Sequence, residues 1–144
     1  MNARIPDAAT ATATALQPAS ALQPASALER ISQVWDERIL PPLTDYIRIP
    51  AKSPLFAPDW AQQGLLDTVV RNAADWVEAQ KLAGLTVEVI RLPGRTPVLF
   101  FEVAATQPQS SQTVLMYGHL DKQPEFAGWR SDLGPWTPQL EDGK

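Results

Sequence analysis

The sequence predicts an α/β chain in which two amino-terminal helical segments precede three strands. Three observations carry this reading. Apolar residues recur at helical spacing from Leu66 to Leu82. Two short β-branched runs, Leu85–Leu92 and Pro97–Val103, flank a Pro-Gly turn. A third apolar run, Thr113–Tyr117, stops at Gly118-His119. The order helix, helix, strand, strand, strand reads as the first layer of an α/β sandwich rather than a closed fold.

The amino terminus stands apart. Residues 1–28 carry only Arg4 and Asp7 as charges before Glu29, and Ala-Leu-Gln-Pro-Ala-Ser occurs twice in tandem, at 15–20 and 21–26. Two six-residue copies are too short to build a solenoid. Polar Thr and Gln interrupt any apolar stretch of the kind a secretory signal needs. Residues 1–27 are expected to be a disordered low-complexity leader on a cytoplasmic protein, with the folded part at 28–144.

Leu28, Ile31, Trp35 and Ile39 share one helical face, with Ser26 and Glu29 spaced as a capping box. Pro41-Pro42 is expected to interrupt this helix, since proline lacks the amide donor and crowds the preceding turn. A second short helix restarting there would carry Leu43, Tyr46 and Ile47 inward. Ile49–Pro58 reads as an extended connection. The strongest helix is expected over Asp59–Leu82, with Leu66, Val69, Val70, Ala73, Trp76, Val77 and Leu82 as its stripe and Gly84 as its stop. The two strands that follow, joined by Pro93-Gly94-Arg95-Thr96, suit an antiparallel hairpin. A polar loop, Thr106–Gln112, leads to the third strand. After Pro124 come loops bearing Trp129 and Trp136, aromatics expected to pack against something.

Composition narrows the function. With 144 residues there is room for one domain with a moderate core. The net charge is −4 and the twelve Lys and Arg are scattered, so a nucleic-acid partner has no basic stripe to bind. No run is long enough to span a bilayer, so no membrane partner is expected. The absence of cysteine removes disulfides and thiolate metal sites.

The candidate site is at Gly118-His119-Leu120-Asp121. His119 is the only histidine. In an extended backbone residues i and i+2 share a face, so His119 and Asp121 can point into one space at the carboxyl end of a strand. An Asp so placed can accept a hydrogen bond from the imidazole nitrogen that a metal does not use. A structural His–Asp pair, in a small binding domain or a non-catalytic fragment, is the plainer alternative. A nucleophilic triad lacks support: there is no Cys, no Gly-x-Ser-x-Gly elbow, and Ser110 and Ser111 lie in the polar loop.

Tyr117-Gly118-His119-Leu120-Asp121-Lys122-Gln123-Pro124 resembles the Gly-His-x-Asp-x-x-Pro signature of the carnosinase-like zinc dipeptidases. These belong to the superfamily of acetylornithine deacetylase, succinyl-diaminopimelate desuccinylase and glutamate carboxypeptidase. Ile49–Pro54, the two strands, Trp129, Pro135–Pro138 and Glu141–Lys144 are similar to the segments flanking that signature, so the resemblance spans about 28–144. It implies a partial catalytic domain of a zinc-peptidase (phosphorylase/hydrolase-like) sandwich. It further implies a metallopeptidase acting on dipeptides or related small amides, with two zinc ions, or other divalent metals, activating a hydroxide. His119 would be a ligand of one zinc, and Asp121 would orient it and support catalysis. The resemblance places the bridging Asp, the general-base Glu, the later ligands and a lid or dimerisation domain downstream of Lys144. A homodimeric parent enzyme is compatible with it. The 144-residue chain is accordingly expected to be an amino-terminal portion, inactive alone.

Overall fold

The computed structural model describes residues 24–107 and 112–143. Most of the expected leader, with the first hexapeptide copy, and part of the polar loop lie outside these residues. Helix α1 spans Pro24–Val34 and takes in the end of the second hexapeptide. Ser26, expected as the cap, is the third residue of this helix.

The expected break at Pro41-Pro42 is not a break. Trp35–Ile39 form a π-helical turn, and α2, Leu40–Arg48, follows directly with the prolines in its first turn. The Leu40 amide reaches back five residues to the Trp35 carbonyl. In an α-helix the two prolines would face the carbonyls of Glu37 and Arg38 and could donate to neither. The wider turn lies where those carbonyls need room. The Arg38 carbonyl is then taken up by Trp76, whose indole N–H donates to it at 3.3 Å. Leu43, Tyr46 and Ile47 are half-buried, as their spacing predicts. Leu28, Ile31 and Trp35 are exposed, so the α1 stripe covers no core.

The long helix expected over Asp59–Leu82 is divided at Gly64. Helix α3 is Trp60–Gln63 and α4 is Leu65–Ala79. Gly64 has φ +67°, a left-handed conformation that costs a residue with a Cβ about 1–3 kcal/mol. Its amide closes α3 on the Trp60 carbonyl, and its own carbonyl accepts from the amide and hydroxyl of Thr68. The far end also comes early: α4 stops at Ala79, and Lys81 (φ +52°) takes a left-handed conformation before Gly84 is reached. Leu66, Val69, Val70 and Ala74 are the buried positions of α4. Trp76 and Leu82, expected in the stripe, are at the surface.

The hairpin forms as its sequence predicts. Strands β1, Leu85–Ile90, and β2, Val98–Val103, pair antiparallel from Leu85↔Val103 to Ile90↔Val98. The Arg95 amide donates to the Leu92 carbonyl, with Pro93 and Gly94 (φ +70°) between them. Those are the residues a type II turn wants at its two centre positions. The hairpin packs on α4, and Arg91 reinforces the contact through an ion pair with Asp67 at 2.9 Å.

The third strand does not form. Among the described residues the sheet has two strands, and Thr113–Tyr117 is irregular. Val114, Leu115, Met116 and Tyr117 are 85–91% exposed. Composition gives the run a preference for a pleated, half-buried place, and that preference is realised only where a neighbouring strand supplies hydrogen bonds and packing. The described architecture is therefore mixed: helices over one two-stranded antiparallel sheet. Its core is small. Ala51, Leu66 and Val69 are buried together, with Tyr46, Ile49, Trp60, Leu65 and Leu120 packed around them. No helix among the described residues is long and apolar enough to cross a membrane.

Candidate functional site

Leu120 makes the site part of this core. Its side chain packs against the Ala51–Leu66–Val69 cluster, one residue after His119 and one before Asp121. The backbone that follows is fixed as well. Lys52 and Lys122 form an isolated parallel bridge: the Lys122 amide donates to the Ala51 carbonyl, and the Ser53 amide to the Lys122 carbonyl, both at 2.9 Å. The Tyr46 hydroxyl donates to the Leu120 carbonyl at 3.0 Å. The stretch is thus held by α2 and the 51–53 segment, whereas the sequence led one to expect the end of a sheet strand to hold it.

His119 and Asp121 do meet. Imidazole Nδ1 is 3.0 Å from the Asp121 backbone carbonyl and 3.1 Å from its carboxylate Oδ1. Both oxygens can only accept from the ring, so Nδ1 carries the proton. In the neutral ring the lone pair is then on Nε2, and no hydrogen bond among the described residues reaches that atom. The His119 side chain is 63% exposed and that of Asp121 36%, so the free nitrogen is accessible. An imidazole with one nitrogen tied to a carboxylate and the other open has the form of a metal ligand or a proton carrier.

Lys122 directly follows this pair in the chain. Its ammonium donates to the carbonyls of Tyr46 (2.5 Å), Ile47 (3.2 Å) and Ile49 (2.5 Å), at the carboxyl end of α2. The helix dipole favours a cation at this end, and the ammonium adds to the backbone amides of Ile49 and Ala51 that already donate to the Tyr46 and Ile49 carbonyls. The same nitrogen lies 4.1 Å from the centre of the Tyr46 ring and 5.2 Å from that of Trp136, within cation–π range. Burial pushes its pKa below the ordinary lysine range. Tyr46 is raised above the usual phenol value, chiefly by burial and further by the nearby Asp121 carboxylate.

Two outer groups complete the surroundings. Lys52 pairs with Glu125 at 3.1 Å, and the Glu125 carboxyl is depressed by its own backbone N–H and then by the Lys52 ammonium. Trp136 is carried on a turn closed by the Thr137 amide donating to the Gly134 carbonyl; of the two aromatics expected to pack down, Trp136 is half-buried beside Lys122 and Trp129 is exposed. Arg130 holds the same loop with ion pairs to Asp132 and to Glu141, the latter at 2.6 Å. An open groove of about 450 Å³, lined by Ile47, Trp129, Leu133, Pro135 and Pro138 among others, runs along it.

The i, i+2 spacing could find His119 and Asp121, and the structure brings them together. It does not bring further ligands: among the described residues no group of three or more His, Cys, Asp or Glu side chains converges as a metal site would. Sequence reading missed the parts played by Lys122, Tyr46 and Lys52. No local signal marks Lys122, because the carbonyls it meets are more than seventy residues away in the sequence. A scan against protein-family models finds no match for the chain, and a search of curated proteins finds none.

Proposed function

We propose that His119 and Asp121 are one corner of a divalent-metal centre in a hydrolase of the zinc-dipeptidase type, acting on dipeptides or related small amides. The observation that carries this is the contact of His119 Nδ1 with the carbonyl and carboxylate of Asp121. With Nδ1–H held by both oxygens of Asp121, Nε2 presents its lone pair to solvent from an anchored turn. Holding the ring in this way also raises the basicity of Nε2 toward a cation. The resemblance of Gly118–Pro124 to the dipeptidase signature supplies the substrate class.

The described residues fit one ligand of such a centre and not a whole one. A catalytic zinc takes three protein ligands, and the chain has a single histidine and no cysteine. In this reading the remaining ligands come from polypeptide outside the described residues. A bound divalent cation would supply Lewis acidity and an activated water. The role of these residues is to hold the imidazole in one tautomer and one orientation.

Titration with zinc, followed through the 15N signals of the single imidazole, tests the reading. Zinc is expected to bind weakly and to perturb Nε2 more than Nδ1, and His119→Ala is expected to abolish that binding. The 144-residue chain is expected not to cleave dipeptides. An imidazole indifferent to millimolar zinc would overturn the metal role. Dipeptide cleavage by the chain, lost in His119→Ala, would overturn the assignment of a single corner.

A further inference from the structure

We infer that Lys122 is a positioning residue for His119: its ammonium pins the His119–Asp121 turn to the carboxyl end of helix α2, so the imidazole is set by that helix and not by the sheet. The inference rests on the reading of His119 as the site's ligand for its functional meaning. Three carbonyls, those of Tyr46, Ile47 and Ile49, converge on one nitrogen that belongs to the residue directly after Asp121. An ammonium has three donors, and here each has an acceptor.

The backbone of the same residue is held by the 51–53 segment through both its amide and its carbonyl, and Tyr46 gives a hydrogen bond to the Leu120 carbonyl. Every hydrogen-bonded fixed point of the turn therefore leads to Tyr46–Ser53, with the packing of Leu120 on Ala51, Leu66 and Val69 beside them. The segment on the amino-terminal side, Val114–Tyr117, is exposed and contributes no such fixed point among the described residues. A lysine whose only task was to cap α2 could come from any neighbouring segment. One placed beside Asp121 also fixes where the Asp121 oxygens meet Nδ1. Trp136, over the same ammonium, brings the Gly134–Thr137 turn into the assembly.

The test uses the full 144-residue chain, labelled with 15N, at a fixed neutral pH. A long-range 1H–15N spectrum reads the tautomer of the one imidazole. Wild type is expected to give the Nδ1–H pattern. Lys122→Met keeps the aliphatic stem but removes the donors, and is expected to give a mixed pattern with the far-ultraviolet circular dichroism unchanged. A folded Lys122→Met with the wild-type pattern would overturn the inference, since a residue that merely stabilised α2 would leave the tautomer alone. Should Lys122→Met fail to fold, Lys122→Arg decides. Its planar fork keeps the charge and the ring contacts but cannot place three donors at one point. A folded Lys122→Arg with an unshifted pattern is equally fatal, and a shifted one supports the pin.

Zinc affinity separates this inference from the reading it rests on. A supporting result is a loss of about tenfold in zinc affinity in the Lys122 variant, the scale seen when a ligand's orienting partner is removed. A shifted tautomer in a chain that never responds to zinc would keep the pin and refute the metal role. An unshifted tautomer with unchanged zinc affinity would do the reverse.

Discussion

Two halves of one thirteen-residue stretch, Thr113–Glu125, behave in opposite ways. Thr113–Tyr117 has the composition of a buried strand, yet Leu115 is 90% exposed. Leu120–Lys122 has no strand signal of its own, yet it is fastened by a parallel bridge, a tyrosine hydroxyl and a lysine with three acceptors. Apolar character records a preference for burial, and burial needs a surface to meet. The second half has one in Ala51, Leu66 and Val69. Among the described residues the first half has none.

Amide exchange should display the contrast most strongly. The Lys122 and Ser53 amides are expected to exchange slower than those of Val114–Tyr117 by roughly a hundredfold or more. Equal rates across the stretch would mean that the bridge is open in solution. Paired truncations come next. Leu120→Ala is expected to lower unfolding stability by about 2 kcal/mol, at the low end for aliphatic truncations because Leu120 is only partly buried. Leu115→Ala is expected to change it by less than about 0.5 kcal/mol. Urea denaturation of both variants measures the difference, and similar losses would show that the exposed run has found a partner.

The smallest effect concerns Lys52 and Glu125, which brace the fastened half from outside. The Glu125 carboxyl is depressed in the folded state, so its contribution is present above the ordinary carboxylate pKa and lost as pH falls through the folded value. Between about pH 6 and pH 3, wild type should lose slightly more stability than Glu125→Gln. A Glu125→Gln variant with the same acid dependence would remove Glu125 from the brace.

How much of this could be read in the sequence depended on range. The hairpin was legible because its register is set by residues within one turn, with Pro93 and Gly94 suited to it. The His119–Asp121 contact was legible because it spans two residues. Helix α4 was legible in the buried Leu66, Val69 and Val70 but not at its ends, where Gly64 and Lys81 adopt left-handed conformations that periodicity does not encode. The third strand failed because a strand is a relation between two segments, and the run alone holds only one of them. Lys122 was missed because its acceptors are more than seventy residues away. Its role exists only once α2 ends beside it.

The π turn at Trp35–Ile39 bears on direction. By spacing alone, Leu28, Ile31, Trp35, Ile39, Leu43 and Tyr46 would lie along one line on an unbroken α-helix. One additional residue in a turn rotates everything after it by about 100° relative to everything before. The single line becomes two, aimed differently. The later one faces the core and carries Tyr46 to the site, and the earlier one, with Leu28, Ile31 and Trp35, looks outward. The change of phase falls where two adjacent prolines enter the helix, between a segment that buries no residue and one that brings Tyr46 to the Leu120 carbonyl.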